Sequence, residues 1–161
     1  MDSKLTFPKT TFSDFYGPGQ TNIKEYTGPK YTERQNPTDQ NVYVHDCVFQ
    51  SCSSSSYGGA LSCGSTVYKL LVEQTSFVSC WTYSDRGGAI YSSSTTNGEC
   101  ILSKNCAYDC SSTVSDAWSG GQCVFIQIKN DASYKNHVND SSFTQSSIES
   151  INAQHVVALV F

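Results

Sequence analysis

The side chains of this 161-residue sequence that could do chemistry are eight cysteines, three histidines and a thin scatter of carboxylates. Cys47, Cys52, Cys63, Cys80, Cys100, Cys106, Cys110 and Cys123 are even in number, which suits a disulfide framework in a secreted domain. Zinc knuckles want C-x2-C pairs, and the spacings here are Cys47-x4-Cys52 and Cys106-x3-Cys110, with no His in the matching repeat. The reading we prefer is a third one, in which cysteine recurs as a small apolar core residue. His45 and His137 fall at different repeat positions and His155 lies in a terminal strand-like run, so the three do not converge. Asp46, Gln74, Lys104 and Asp140 share one repeat position, but its two carboxylates sit several layers apart, too far to act as a pair. Glu73, Asp85, Glu99, Asp109 and Asp116 read as solvated strand or turn residues. No G-x-S-x-G, H-E-x-x-H, P-loop or dinucleotide fingerprint occurs. The sequence thus offers no catalytic residues, no metal ligands and no cofactor site, and it reads as a non-enzyme.

The elements that would position these side chains follow from composition and periodicity. Hydrophobic residues make up 38% and charged residues 15%, and Ser and Thr together number 40, a balance that favours strands and turns over helices. The net charge of −4 disfavours nucleic acid and anionic membrane as partners, and no apolar run is long enough to cross a bilayer as a helix. Residues 1–12 lack the apolar stretch of a signal peptide. Composition breaks near residue 40: all four prolines precede it and all eight cysteines follow it. We therefore expect an irregular Pro-rich cap or leader over 1–40 and a repeat region over 41–161.

Three segments of that region align: Val44 to Cys52, Val72 to Cys80 and Leu102 to Cys110, with a degraded fourth from Val138 to Ser146. The first three are each followed by a glycine pair, Gly58-Gly59, Gly87-Gly88 and Gly120-Gly121. Copies near 42–69, 70–99, 100–135 and 136–161 are the result. A period of this length filled with short strands predicts an all-β fold, namely a short, right-handed, single-stranded parallel β-helix of the pectate-lyase-like solenoid type. Its interior columns would be Val44–Val72–Leu102–Val138, Phe49–Phe77–Ala107–Phe143, Cys52–Cys80–Cys110–Ser146, Ala60–Ala89–Gln122 and Leu61–Ile90–Cys123. The glycine pairs would sit where the chain turns, so a Gly58→Val change should destabilise the stack.

The F-x-x-C motifs Phe49-Gln50-Ser51-Cys52 and Phe77-Val78-Ser79-Cys80, followed by Gly58-Gly59-Ala60-Leu61 and Gly87-Gly88-Ala89-Ile90, resemble the repeat of the polymorphic outer membrane protein family. The resemblance covers residues 41–125 well, 126–150 weakly and 1–40 not at all. In that family F-x-x-N and G-G-A-I motifs alternate along a right-handed parallel β-helix, and cysteine here replaces the asparagine. The resemblance implies a surface or adhesin-like role and an extracellular or cell-surface location.

Between each F-x-x-C and its glycine pair runs a loop with an aromatic residue: Tyr57, then Trp81 and Tyr83, then Trp118. Asp85 and Arg86 lie beside the second of these. Rings with hydrogen-bonding neighbours suit a sugar or a peptide, so Tyr57, Trp81, Tyr83, Asp85, Arg86 and Trp118 are the candidate ligand-binding residues. The competing reading has the same rings fold back to cover the apolar edge. The function expected is a non-catalytic surface or adhesion-type β-helix repeat module that binds a glycan or a host or cell-surface protein. The alternatives are a polysaccharide lyase or glycoside hydrolase of β-helix fold, disfavoured by the missing carboxylate cluster, and a purely structural fragment of a larger surface protein. Such a fragment would self-associate through exposed strand ends.

Overall fold

The computed structural model describes residues 10–83, 85–94, 98–113, 122–128 and 135–144, and the backbone of Val157–Val160. The chain opens with a short helix, α1 (Phe12–Tyr16), and an edge strand, β1 (Ile23–Tyr31). The first repeat holds β2 (Asn41–Gln50), β3 (Ser53–Ser54) and β4 (Leu61–Cys63). The second holds β5 (Lys69–Glu73), β6 (Ser76–Val78), β7 (Trp81–Thr82) and β8 (Ile90–Ser94). The third holds β9 (Glu99–Ser103), β10 (Cys106–Tyr108), β11 (Ser111–Ser112) and β12 (Val124–Ile128), and the fourth β13 (His137–Asn139), β14 (Ser142–Thr144) and β15 (Val157–Val160).

These strands sort into three separate parallel sheets, and this corrects the expectation of a single-stranded right-handed parallel β-helix of the pectate-lyase-like type. One sheet has eight strands in the order β13-β9-β5-β2-β6-β10-β14 with β1 joined to β2, the second is β11-β7-β3, and the third is β15-β12-β8-β4. The physical reason lies in the corners. Asp46, Gln74, Lys104 and Asp140 all take left-handed backbone with φ between 47° and 55°, as do Ser51, Ser79 and Asp109 near 50–55°. Gly58 and Gly87 make a third left-handed corner at φ 62° and 73°. The corners at Ser51, Ser79 and Asp109 and at the two glycines carry the chain from one sheet to the next, whereas those at Asp46, Gln74, Lys104 and Asp140 interrupt the ladders within the first sheet.

Among the described residues, repeat strands pair in parallel with their equivalents in the neighbouring repeat. Val44 is in register with Val72, and Val72 with Leu102, which in turn faces Val138. Phe49, Phe77, Ala107 and Phe143 form the next column. In the third sheet Leu61 pairs with Ile90 and Ile90 with Val124, not Cys123, so the third repeat is offset by one residue from the expected alignment. Gln122, not a glycine, therefore stands level with Gly59 and Gly88, and the Gly88 amide donates to its carbonyl at 2.8 Å. The Ser146 position expected below Cys110 lies outside the described residues.

The core inside the sheets is fully dry: Val44, Phe49, Cys52, Leu61, Cys63, Val72, Phe77, Cys80, Ile90, Leu102, Ala107 and Cys110 are all at zero exposure. The rings of Phe49 and Phe77 stack at 5.1 Å and 8°, and Tyr31 of β1 stacks on Phe49 at 4.9 Å. Residues 23–35, expected to be irregular, thus lie along the edge of the first repeat. β1 pairs with β2, and Gln35 bridges to Leu61 of the third sheet. The register of β1 shifts at Gly28, whose φ of 132° accommodates a bulge beside Pro29. A proline-bearing, bulged edge strand is a poor template for further pairing.

A second apolar cluster lies on the other face of β2, β5 and β9. Tyr43, Leu71 and Ile101 point away from the core and would be exposed but for α1, whose Phe12 and Tyr16, one turn apart, cover them. Tyr16 donates its hydroxyl to the Leu70 carbonyl at 2.6 Å. Thr11 and Asp14 start this helix, the Asp14 carboxylate accepting from the Thr11 amide at 2.7 Å, and Gly17 ends it. Those bonds hold the Asp14 carboxyl below its ordinary value.

All eight cysteines are free thiols; seven are buried and Cys106 alone is exposed. Burial pushes the Cys100 thiol up to about 12, and a hydrogen bond to Cys110 with burial does the same for Cys80. A thiol that stays protonated and dry does not react. A negatively charged disulfide reagent at pH 8 should therefore titrate one thiol per native chain and all eight in denaturant. Several fast thiols in the native protein would contradict this packing.

Candidate functional site

The loops that leave the second sheet carry the aromatic residues singled out in the sequence, and β4, β8 and β12 decide which of them meet. On these strands side chains alternate, so Leu61, Ile90 and Val124 face the core while Ser62, Tyr91 and Phe125 face outward in one column. Tyr57 lays its ring on Tyr91 at 4.3 Å, and Tyr91 lies on Phe125 at 5.5 Å and 8°. Arg86 closes the stack, its guanidinium 4.7 Å from the Phe125 ring centre. The charge of the nearby Asp85 carboxylate, with desolvation, pushes the Tyr57 phenol above its ordinary value. Tyr57, Asp85 and Arg86 are thus joined in one cluster with Tyr91 and Phe125.

Trp81 and Tyr83 form a second pair, edge to face at 4.0 Å. Trp81 is half-buried in β7, between Ser53 and Ser111, whereas Tyr83 is 59% exposed. The backbone that carries them is held from several sides. Thr82 Oγ1 donates to the Asp85 carbonyl at 2.5 Å, Ser112 Oγ donates to the same oxygen, and Thr113 Oγ1 donates to the Tyr83 carbonyl. Trp118 lies outside the described residues.

Sequence reasoning missed Tyr91 and Phe125, although strand alternation after each glycine pair could have found them. It also missed Arg34 from the N-terminal segment, which reaches the first loop and donates to Ser54 Oγ and, at 2.9 Å, to Ser56 Oγ. The stack supports part of the competing reading, since Tyr91 and Phe125 spend their faces on their neighbours. Tyr57 ends the stack at 40% exposure beside the Asp85 charge, and Tyr83, packed on Trp81, is left accessible.

The first sheet carries a polar cluster the sequence reading did not foresee. Glu73, expected to be solvated, is 2% exposed and accepts hydrogen bonds from Tyr43 Oη at 3.0 Å and Thr10 Oγ1 at 2.7 Å. Its register partner His45 is equally buried, with Nε2 2.6 Å from Glu25 Oε1 and Nδ1 2.9 Å from Asp46 Oδ2. Position parity put these side chains on the outward face; α1 and its lead-in then buried them. Among the described residues no group of three or more His, Cys, Asp or Glu side chains is placed to hold a metal ion. No helix among the described residues is long and apolar enough to cross a membrane.

No family model matches the chain, and neither does any curated protein or solved structure compared with it.

Proposed function

We propose that the chain is a non-catalytic surface or adhesion-type module that binds glycan through the Tyr57–Tyr83 surface. The observations that carry this reading are the exposed ring of Tyr57 with the Asp85 and Arg86 charges near it, and the exposed ring of Tyr83 on backbone fixed by side-chain hydrogen bonds. An aromatic face takes the apolar C–H side of a sugar ring, while a carboxylate and a guanidinium bond its hydroxyls. Two such rings, already ordered, lose little entropy on binding. The resemblance of the F-x-x-C and G-G-A repeats to those of polymorphic outer membrane proteins supports the same role.

The test compares wild type with a Tyr57→Ala, Tyr83→Ala double variant for retention on an immobilised polysaccharide that holds the wild type. Loss of two stacking rings at a site of this size should weaken retention at least about tenfold. Both side chains are exposed, so the thermal midpoint should move little. A double variant that binds as well as wild type would remove this surface from consideration.

A further inference from the structure

Arg86 is fixed in place with its hydrogen-bonding capacity unspent. Its guanidinium lies 4.7 Å from the centre of the Phe125 ring, in the stack that Tyr91 and Tyr57 complete. The Arg86 amide donates to Asp85 Oδ1 at 3.0 Å, and its carbonyl accepts from the Gly58 amide at 3.1 Å. Among the described residues no carboxylate forms an ion pair with the guanidinium, and no acceptor takes one of its N–H groups. Resting on the reading of this surface as a glycan site, we infer that the glycan is acidic: Arg86 binds a carboxylate or a sulfate on the sugar while the sugar ring lies on the free face of Tyr57.

Both halves of that contact are open in the free protein. Tyr57 spends one face on Tyr91 at 4.3 Å and is 40% exposed, which leaves the other face for a ligand. A guanidinium stacked on an aromatic ring keeps its N–H edge clear of that ring. The planar fork on this edge matches two oxygens of a carboxylate or of a sulfate. Because no protein group occupies the fork among the described residues, an oxyanion displaces water there and breaks no internal bond. Stacking on Phe125 has already ordered the side chain, so little freedom is lost on binding.

The charges at this corner divide the ligand between them. Asp85 and Arg86 both act on Tyr57, with opposite signs. An ionised carboxylate only accepts and suits a sugar hydroxyl, whereas a guanidinium only donates and suits the anionic group. Arg34 adds positive charge to the same loop. It bonds Ser54 and, at 2.9 Å, Ser56, the residue before Tyr57, and it pairs with no carboxylate among the described residues. Burial alone holds the Arg34 guanidinium below its ordinary value, as for a cation without a counter-ion. A neutral glycan would leave both guanidinium groups uncompensated, and an acidic one supplies the missing charge.

The experiment measures affinity of the full chain for two matched pairs of immobilised polysaccharide: polygalacturonate against its fully methyl-esterified form, and dextran sulfate against dextran. An ionic strength of about 0.15 M screens long-range attraction. The wild type is expected to bind one charged polymer at least about tenfold more tightly than its neutral counterpart, and the pair that shows the difference tells carboxylate from sulfate. Arg86→Gln should weaken binding to that charged polymer at least about tenfold, with little change on the neutral one. Arg86→Lys, which keeps the charge but not the fork, should recover part of the loss. Arg86 is only half-buried, and thermal melts of both variants report that the fold is intact. Equal affinity within both pairs, full binding by Arg86→Gln, or the same loss on charged and neutral polymers would overturn the inference and leave the glycan reading standing. Binding to neither charged polymer would also overturn it, whereas the glycan reading falls only if no polysaccharide is retained.

Discussion

Replacing Gly59 by alanine is expected to lower the midpoint of thermal unfolding by roughly 6–12 °C, from a loss of about 3 kcal/mol in a chain of this length. The backbone of Gly59 is not left-handed, so conformational strain is not the cause. The added Cβ would overlap the Gly88 carbonyl oxygen of the next repeat and stand 2.6 and 2.7 Å from the carbonyl oxygen and amide nitrogen of Trp81. All three are backbone atoms and cannot rotate away. Gly64 is the control: it has nothing within 4 Å of a Cβ and no unusual φ, so Gly64→Ala should leave the midpoint within about 2 °C. If the two variants melted alike, the repeats would not be stacked backbone to backbone at this level.

Phe77→Ala should cost about 3–5 kcal/mol, because it removes a ring from the dry centre of the stack. Phe77 has no exposure, lies on Phe49 at 5.1 Å, and faces Ala107 in the following repeat. Alanine on one side cannot fill the space, and Phe49 is itself held by Tyr31. The void therefore persists, and its lining loses dispersion contacts as well as the transfer term. Phe143, half-buried in β14 of the fourth repeat, is the comparison: Phe143→Ala should cost well under half as much. Denaturant melts of the two variants would read the difference directly, and equal losses would mean that the stack has no buried centre.

Much of the register was legible because the repeat fixes it. A strand period of two, with phenylalanine and cysteine three residues apart, aligns Val44, Val72 and Leu102 and then Phe49, Phe77 and Ala107 without reference to any long-range contact. The alignment holds at Leu61–Ile90 and slips by one residue between Ile90 and the third repeat, because Gly120-Gly121 was matched by type to the earlier glycine pairs, whereas the core matches Val124. What the sequence could not show is how the repeat is cut. Seven non-glycine residues at two corner positions adopt left-handed backbone, among them Gln74 and Lys104, which have no intrinsic taste for it. The corners at Ser51, Ser79 and Asp109, with the glycines, divide the strands among three sheets, while those at Asp46, Gln74, Lys104 and Asp140 break the ladders within the first sheet, and nothing in periodicity alone signals them.

The candidate surface was legible in part for a similar reason. Tyr57, Asp85 and Arg86 are close in the loop pattern and do meet. The partners that fix them, Tyr91 and Phe125, come from the outward side of strands read chiefly for their inward side. The same bias hid Tyr43, Leu71 and Ile101: the runs Val42-Tyr43-Val44 and Leu70-Leu71-Val72 are apolar on both faces, the mark of a sheet covered on both sides. α1, five residues in the Pro-rich N-terminal segment, supplies that cover.

The central claim is that this chain binds glycan and leaves it intact, and one measurement addresses it most directly. Purified protein is incubated with a panel of immobilised polysaccharides, and both retention on the matrix and soluble oligosaccharide in the supernatant are quantified. The account predicts retention on at least one polysaccharide, abolished in the Tyr57→Ala, Tyr83→Ala variant, with no oligosaccharide released over hours. Release of soluble products, or no retention on any member of the panel, would contradict it.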